Sequence, residues 1–326
     1  MNYINVPVVS SRPLQTLWQR TLEQTKAALA CGALLSIPTT YELLDYHGIS
    51  FIVRILANLD RKTEARKQQD KESAEKGIEV NPFLPYEQKL WVADLSPTHV
   101  CLLNKFNVVD HHLLMITKHF ESQETLLTLQ DFEALWLTLS EVDGLVFYNG
   151  GQDAGASQKH KHLQLVPLPL IQTENTQLRL PIEAAIAPSL KTASHSPSTT
   201  IQDRISTVPL LPFRHAIAPI DPDCYLNPVQ AAHATFELYR QLLRTVGLEA
   251  GDGIHLTHQS GAYNLLMTRH WMLLVPRAQE GWQGISINSL GFAGALLVRN
   301  AEQLSTLKTM TPLMLLQKVG YSDKVD

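Results

Sequence analysis

A chain of 326 residues with 18% charged and 44% hydrophobic side chains has an ordinary globular balance, which excludes a disordered chain. Its formal net charge of −4 excludes a general nucleic-acid binder, which would be basic, but leaves room for a locally positive site. No apolar run approaches the ~18–20 residues of a membrane helix, and Met1–Pro7 lacks the basic start and apolar core of a secretory leader. Cys31, Cys101 and Cys224 are odd in number and widely spaced, as in a reducing cytoplasm rather than a disulfide scaffold.

In chain order, Leu14, Leu17, Trp18, Thr21 and Leu22 recur at helical spacing and predict an amphipathic helix over 12–32. The β-branched run 49–56 reads as a strand, and the charged, apolar-poor stretch 60–79 as a surface helix or loop. Residues 81–85 read as a turn, and Val100–Phe106 and His112–Thr117 as strands. The stripe Leu129, Phe132, Leu135, Trp136, Leu139 predicts a helix opening the 128–149 segment, capped by Ser122 or Thr128, with its aromatics in the core. A Gly-rich loop over 149–157 leads to a strand over 160–168. The second half offers extended chain at 208–217, a helix at 228–245, a strand or hairpin at 263–275 and a helical tail at 301–319. Length suits about two domains. The chain divides into an N-terminal catalytic region (1–175), a linker or excursion (176–206, rich in Ser, Thr and Pro from 188) and a C-terminal region (207–326). Leu113–His119 faintly echoes Leu265–His270.

Chemistry concentrates in Asn149–Gln164. On a strand His160, His162 and Gln164 share one face, while Lys161, Leu163 and Leu165 take the other. Three glycines and Ser157 precede them, and successive N–H groups in such a loop can cradle an anion. Three readings are open: paired structural histidines, a zinc site built on His-x-His, or covalent catalysis on phosphorus by a neutral imidazole. The metal reading lacks a third ligand, because Gln164 is a poor one.

The pattern Asn149…Gly155-x-Ser157-x-x-His160-x-His162-x-Gln164 resembles the histidine-triad superfamily, in its transferase branch with Gln in the third place. That branch includes the galactose-1-phosphate uridylyltransferases and the diadenosine tetraphosphate phosphorylases (ATP adenylyltransferases). Asn81–Pro85, Leu103–Val108, Gly155–Gln158 and Tyr263–Thr268 are similar to the phosphorylases. The zinc-associated cysteines of some uridylyltransferases are absent.

The resemblance implies an α+β fold: a histidine-triad-like antiparallel sheet with packed helices, and a related C-terminal α+β portion. It implies phosphorolysis of diadenosine tetraphosphate to ADP and ATP through an adenylyl group carried on His162. Gln164 then occupies the third triad position and His160 an orienting first position. Asn149, Gly155, Ala156, Ser157 and Gln158 would form the α-phosphate and ribose loop. Arg54, Asn104, Lys105, Met267 and Arg269 would be further nucleotide contacts, with Lys159 another candidate cation. A divalent cation, Mg²⁺, would accompany the polyphosphate, with no tightly bound cofactor and no protein metal site. The expected partners are dinucleoside polyphosphate, phosphate, ADP and ATP, with no nucleic acid or membrane, in the cytoplasm. Another nucleotidyl transferase, a metal-dependent dinucleoside polyphosphate hydrolase on the same scaffold and a non-enzymatic nucleotide sensor are the alternatives. The oligomeric state stays open.

Overall fold

The computed structural model describes residues 15–57, 81–173, 177–194, 200–221, 227–248 and 258–322; the charged 60–79 stretch lies outside them. Helix α1 (Leu17–Ala30) starts at Thr16, whose hydroxyl accepts from the Gln19 N–H while the Gln19 side chain answers the Thr16 N–H, a capping box. A hairpin of β1 (Thr39–Tyr46) and β2 (Ile49–Leu56) follows. Next come β3 (Trp91–Asp94), β4 (His99–Leu103) and β5 (Leu113–Thr117). Thr128 rather than Ser122 caps α2 (Leu129–Leu139), through a reciprocal pair with Asp131. The 128–149 segment then turns into strand β6 (Gly144–Gly150).

Strand β7 is shorter than expected, His162–Pro167; His160 precedes it, bridged only to Ser122. The 176–206 stretch contains helix α3 (Glu183–Ser194). Strand β8 (Ala216–Pro219) precedes α4 (Pro228–Thr245), which opens on an Asn227 cap and a Pro at its first position. The 263–275 stretch is the hairpin β9 (Tyr263–Met267) and β10 (Trp271–Pro276). After the single-turn α5 (Ser289–Phe292) and β11 (Ala295–Val298), the helical tail breaks in two, α6 (Ala301–Met310) and α7 (Pro312–Val319). Thr311 takes a φ of +74° and Pro312 cannot continue α6, so Thr311 instead caps α7.

Eight strands form one antiparallel sheet in the order β8-β10-β9-β6-β7-β5-β4-β3. Its join between the two halves of the chain is β6 against β9, from Gly150 opposite Tyr263 to Val146 opposite Met267. A smaller sheet, β1-β2-β11, pairs β11 parallel to β2. The mixed α+β architecture with a large antiparallel sheet agrees with expectation.

Alternation along the strands sorts side chains between two layers. Leu163 and Leu165 face a core shared with α1, α2 and α4, where Phe132 and Trp136 are fully buried; the Trp136 indole is satisfied by Thr235 across the helix pair. Val166, Phe147 and Leu266 face the other core, under the small sheet and α5–α7. A third cluster, Phe83, Val100, Leu102, Leu114 and Ile116, covers the β4–β5 end of that same face. His162 and Gln164 of β7 lie along the seam between these two clusters.

Candidate active site

His162 begins β7 just where its pairing with β6 ends, at Phe147 opposite Gln164. Gln123 substitutes for the missing ladder. Its amide accepts from the His162 N–H (2.9 Å) and donates to the carbonyls of Asn149 (2.9 Å) and His162 (3.3 Å). The Tyr148 hydroxyl holds the Gln123 carbonyl at 2.6 Å.

The hydrogen bonds fix the tautomers of both rings. A carbonyl only accepts, so Nδ1–H of His162 donates to the His160 carbonyl (2.8 Å) and its Nε2 carries the lone pair. His160 takes the opposite form. Its Nε2–H donates to Thr117, at the carbonyl (2.9 Å) and hydroxyl (2.8 Å), while Nδ1 accepts from the Asn81 amide (2.9 Å). The Phe83 ring packs 5.3 Å from His162 and 5.8 Å from His160, ring centre to ring centre. Burial pushes His162 down to about 4, against the opposing pull of the His160 carbonyl, so the ring is neutral and nucleophilic near pH 7.

His112, the residue before β5, borders Gln164 and is likewise pushed by burial to about 4. For both rings the unfolded value is about 6.5. The unfolded chain therefore takes up protons that the folded one declines, and stability falls as pH drops. It is fully present above about pH 6.5 and lost progressively towards pH 4, by roughly 3 kcal/mol per ring. Urea midpoints measured across this range should show the decline, and a His162→Asn protein should show a shallower one. An unchanged slope in that protein would remove His162 from the account.

Behind the strand, Lys161 is fully buried and donates to Glu121 (2.8 Å), Asp131 (3.1 Å) and the Leu126 carbonyl (3.2 Å). His99 reaches the other Asp131 oxygen at 3.0 Å. Burial alone would push the Asp131 carboxyl up. The bonds and charges of His99 and Lys161 and the Thr128 N–H outweigh that and hold it below the usual carboxylate range.

The loop after β6 differs from the expected anion cradle. Its N–H groups at Ala154, Gly155 and Ala156 turn inward to the carbonyls of Gly151 and Gln152. Gly155 has a φ of +86°, and a Cβ there would sit 2.7 Å from the Ile287 carbonyl oxygen, so only glycine fits this close approach. Ser157 is exposed and Gln158 half-buried. Asn149 is a buried tie: its Oδ1 accepts from Asn264 and from the N–H and hydroxyl of Ser289. Asn264 is anchored in turn by the buried Arg277.

Asn104 joins the site through a bond to His112. Lys105 pairs with Glu87 at 2.8 Å, both partly exposed. Arg54 sits on β2 and donates to Thr39 (3.4 Å) and the Leu170 carbonyl (3.1 Å). Two expected contacts are corrected. Met267 is fully buried in the core on the opposite sheet face. Arg269 donates to the Leu139 and Ser140 carbonyls at the C-terminus of α2. Counting along β6 from Asn149 through the Val146–Met267 pair, Arg269 lies about 17 Å away at ~3.3 Å per residue.

Sequence reasoning missed Gln123, His112, and Asn81 as a partner of His160. Asn81 lies inside the Asn81–Pro85 motif, but the other two carry no local pattern. The donors gathered at His162 are imidazoles, amides and a carbonyl, a poor set for Mg²⁺, which takes carboxylates, phosphates and water. Among the described residues no three His, Cys, Asp or Glu side chains group as metal ligands, and no helix is long and apolar enough to cross a membrane.

With this geometry in hand, the chain can be set beside known proteins. Residues 9–188 match the family model for the Ap4A phosphorylase N-terminal domain, and residues 209–322 that for the ATP adenylyltransferase C-terminal domain. A Saccharomyces cerevisiae protein named diadenosine 5',5'''-P1,P4-tetraphosphate phosphorylase 2 is 29% identical over 281 residues, 78% of each chain. The protein APA1 of the same organism is 27% identical over 232 residues, 63% of each. The crystal structure of yeast Ap4A phosphorylase Apa2 superposes with a TM-score of 0.73 at 22% identity, covering 95% of this chain and 96% of that one. Its complex with Ap4A gives 0.71 at 22% identity, covering 95% and 99%; at such identities the likeness is one of fold. With a family match over more than half its length, and a second over most of the remainder, the chain belongs to the Ap4A phosphorylase (ATP adenylyltransferase) family.

Proposed function

We propose that this protein is a nucleotidyltransferase that phosphorolyses diadenosine tetraphosphate to ADP and ATP through an adenylyl group carried on His162. The observation that carries the reading is the hydrogen bond from Nδ1–H of His162 to the His160 carbonyl. It leaves Nε2 carrying the lone pair of a neutral ring, aimed in a fixed direction. Nε2 attacks the α-phosphorus, a bond forms from nitrogen to phosphorus, and the bond to the bridging oxygen breaks, releasing ATP. The ring then carries positive charge, and the His160 carbonyl stabilises it through the retained Nδ1–H. An oxygen of inorganic phosphate next attacks the same phosphorus. The nitrogen–phosphorus bond breaks, ADP leaves and the ring is neutral again. Splitting one displacement in two is the general gain of covalent catalysis.

In this reading His160 orients, as the first position of a histidine triad with Gln in third place. Gln164 offers an amide to a phosphoryl oxygen, and Ser157, Gln158 and the Gly155–Ala156 turn border the nucleotide. Arg54, Lys105 and Lys159 are the candidate cations for the polyphosphate. Any divalent cation travels on the substrate's phosphate oxygens. The wide spacing of the cysteines supports a cytoplasmic setting.

Mass spectrometry after brief exposure to diadenosine tetraphosphate without phosphate tests the reading. An AMP adduct on His162, discharged as ADP when phosphate is added, is the expected result; its absence would end the proposal. Gln164 tunes the acceptor: an amide cannot relay a proton at neutral pH, whereas an imidazole can help water attack. A Gln164→His protein should therefore release more AMP relative to ADP, read by chromatography of the products. Full activity at an unaltered ratio would discard this role.

A further inference from the structure

Five histidines are buried among the described residues: His99, His112, His160, His162 and His215. Three have both ring nitrogens partnered. His99 lies between Thr98 and Asp131, and His160 between Asn81 and Thr117. His215 lies between the Phe213 carbonyl and the Val208 N–H. These behave as satisfied core residues should. The fourth, His162, leaves only its attacking nitrogen open. The fifth, His112, leaves Nε2 buried with no hydrogen-bond partner of acceptable geometry, although the Gln164 amide lies beside it.

The protonation of His112 follows from its neighbour. The Phe106 N–H donates to Oδ1 of Asn104 (3.3 Å), which fixes the orientation of that amide. Nδ2 of Asn104 therefore donates to Nδ1 of His112 (3.1 Å), so the proton of the neutral ring sits on Nε2. The result is a preformed donor, 92% buried in relative terms by its 8% exposure. It lies on the sheet face of Gln164, with the Phe147 ring 5.8 Å away. It is near enough to His162 that a proton on one ring disfavours a proton on the other. A buried donor with no acceptor is costly unless a ligand supplies one.

We propose that His112 touches the substrate: its Nε2–H donates a hydrogen bond to a non-bridging phosphoryl oxygen of the nucleotide held against His162. This rests on the transferase reading above for the identity of the ligand. A neutral donor aimed in advance at an oxygen whose charge grows during attack stabilises the transition state without reorganisation.

The test compares AMP with adenosine by titration calorimetry on the full-length protein. The side-chain amide of His112→Gln carries a donor near the place of Nε2. That of His112→Asn reaches only the place of Nδ1, where its oxygen still accepts from Asn104. Wild type and His112→Gln should prefer AMP to adenosine. His112→Asn should lose about 10-fold or more of that preference, with adenosine affinity unchanged. His112→Asn keeping the preference overturns the proposal, as does its losing adenosine binding equally, which would make His112 structural. Independently of any variant, nitrogen NMR of histidine-labelled wild type should show the His112 Nε2–H signal move with AMP and not with adenosine; a stationary signal also overturns it. None of these measurements needs turnover or an adduct on His162. This proposal and the transferase reading can therefore fail separately.

Discussion

A His162→Gly protein loses diadenosine tetraphosphate phosphorolysis by at least about 10⁴-fold, the scale expected when a covalent nucleophile is deleted. The loss is chemical rather than structural. The ring is held by one hydrogen bond and by Phe83, while the strand beneath it is held through its backbone by Gln123. The missing imidazole can be supplied from outside. AMP preformed as an imidazolide presents the nitrogen–phosphorus bond that the enzyme would otherwise make, and the vacated space accepts its ring. The variant should then form ADP from the imidazolide and phosphate while remaining inert to the dinucleotide. Normal turnover of the dinucleotide by His162→Gly would refute the assignment of the nucleophile.

The second large effect is on stability. Lys161→Met removes one member of a buried ion pair and leaves Asp131 charged within the helix-side layer, with His99 and Thr128 for company. Breaking a buried pair on one side costs about 3–5 kcal/mol, mostly as the burden of the uncompensated charge. Denaturant unfolding should show that loss. Asp131→Asn added to Lys161→Met should recover more than half of it, because the amide oxygen still accepts from Thr128 while its NH2 donates to Nε2 of His99, whose ring can take the matching tautomer, with no countercharge needed. A single variant within about 1 kcal/mol of wild type would contradict the pairing.

How much of this was legible beforehand depends on where each signal resides. Helix α4 was bounded correctly at Pro228 and Thr245 because Asn227 and Pro228 mark its start locally. Strand β2 was also read correctly, its apolar β-branched run being self-contained. Strand β6 was harder. It follows α2 after only a short turn and is buried along its whole length, so no polar alternation separated it from the preceding helix. His160, His162 and Gln164 were legible as a group because their spacing is sequential. Met267 and Arg269 were misplaced for the converse reason: a strand's facing is set by its partner. The pairing of β9 with β6 turns Met267 to the helix side and carries Arg269 to the far end of the sheet. Gln123 acts through a bond to a residue 39 positions away along the chain, and His112 through a partner not yet bound, and no local pattern encodes such contacts.

The seam between β6 and β9 carries a practical corollary. If the polypeptide were severed between its two family regions, the first piece would keep the nucleophile yet bare the whole rim of β6, and the second would bare β9. Each rim is a ready template for the other. The fragments are thus suited to reassembly from separate genes, with nucleotide turnover reporting their reunion.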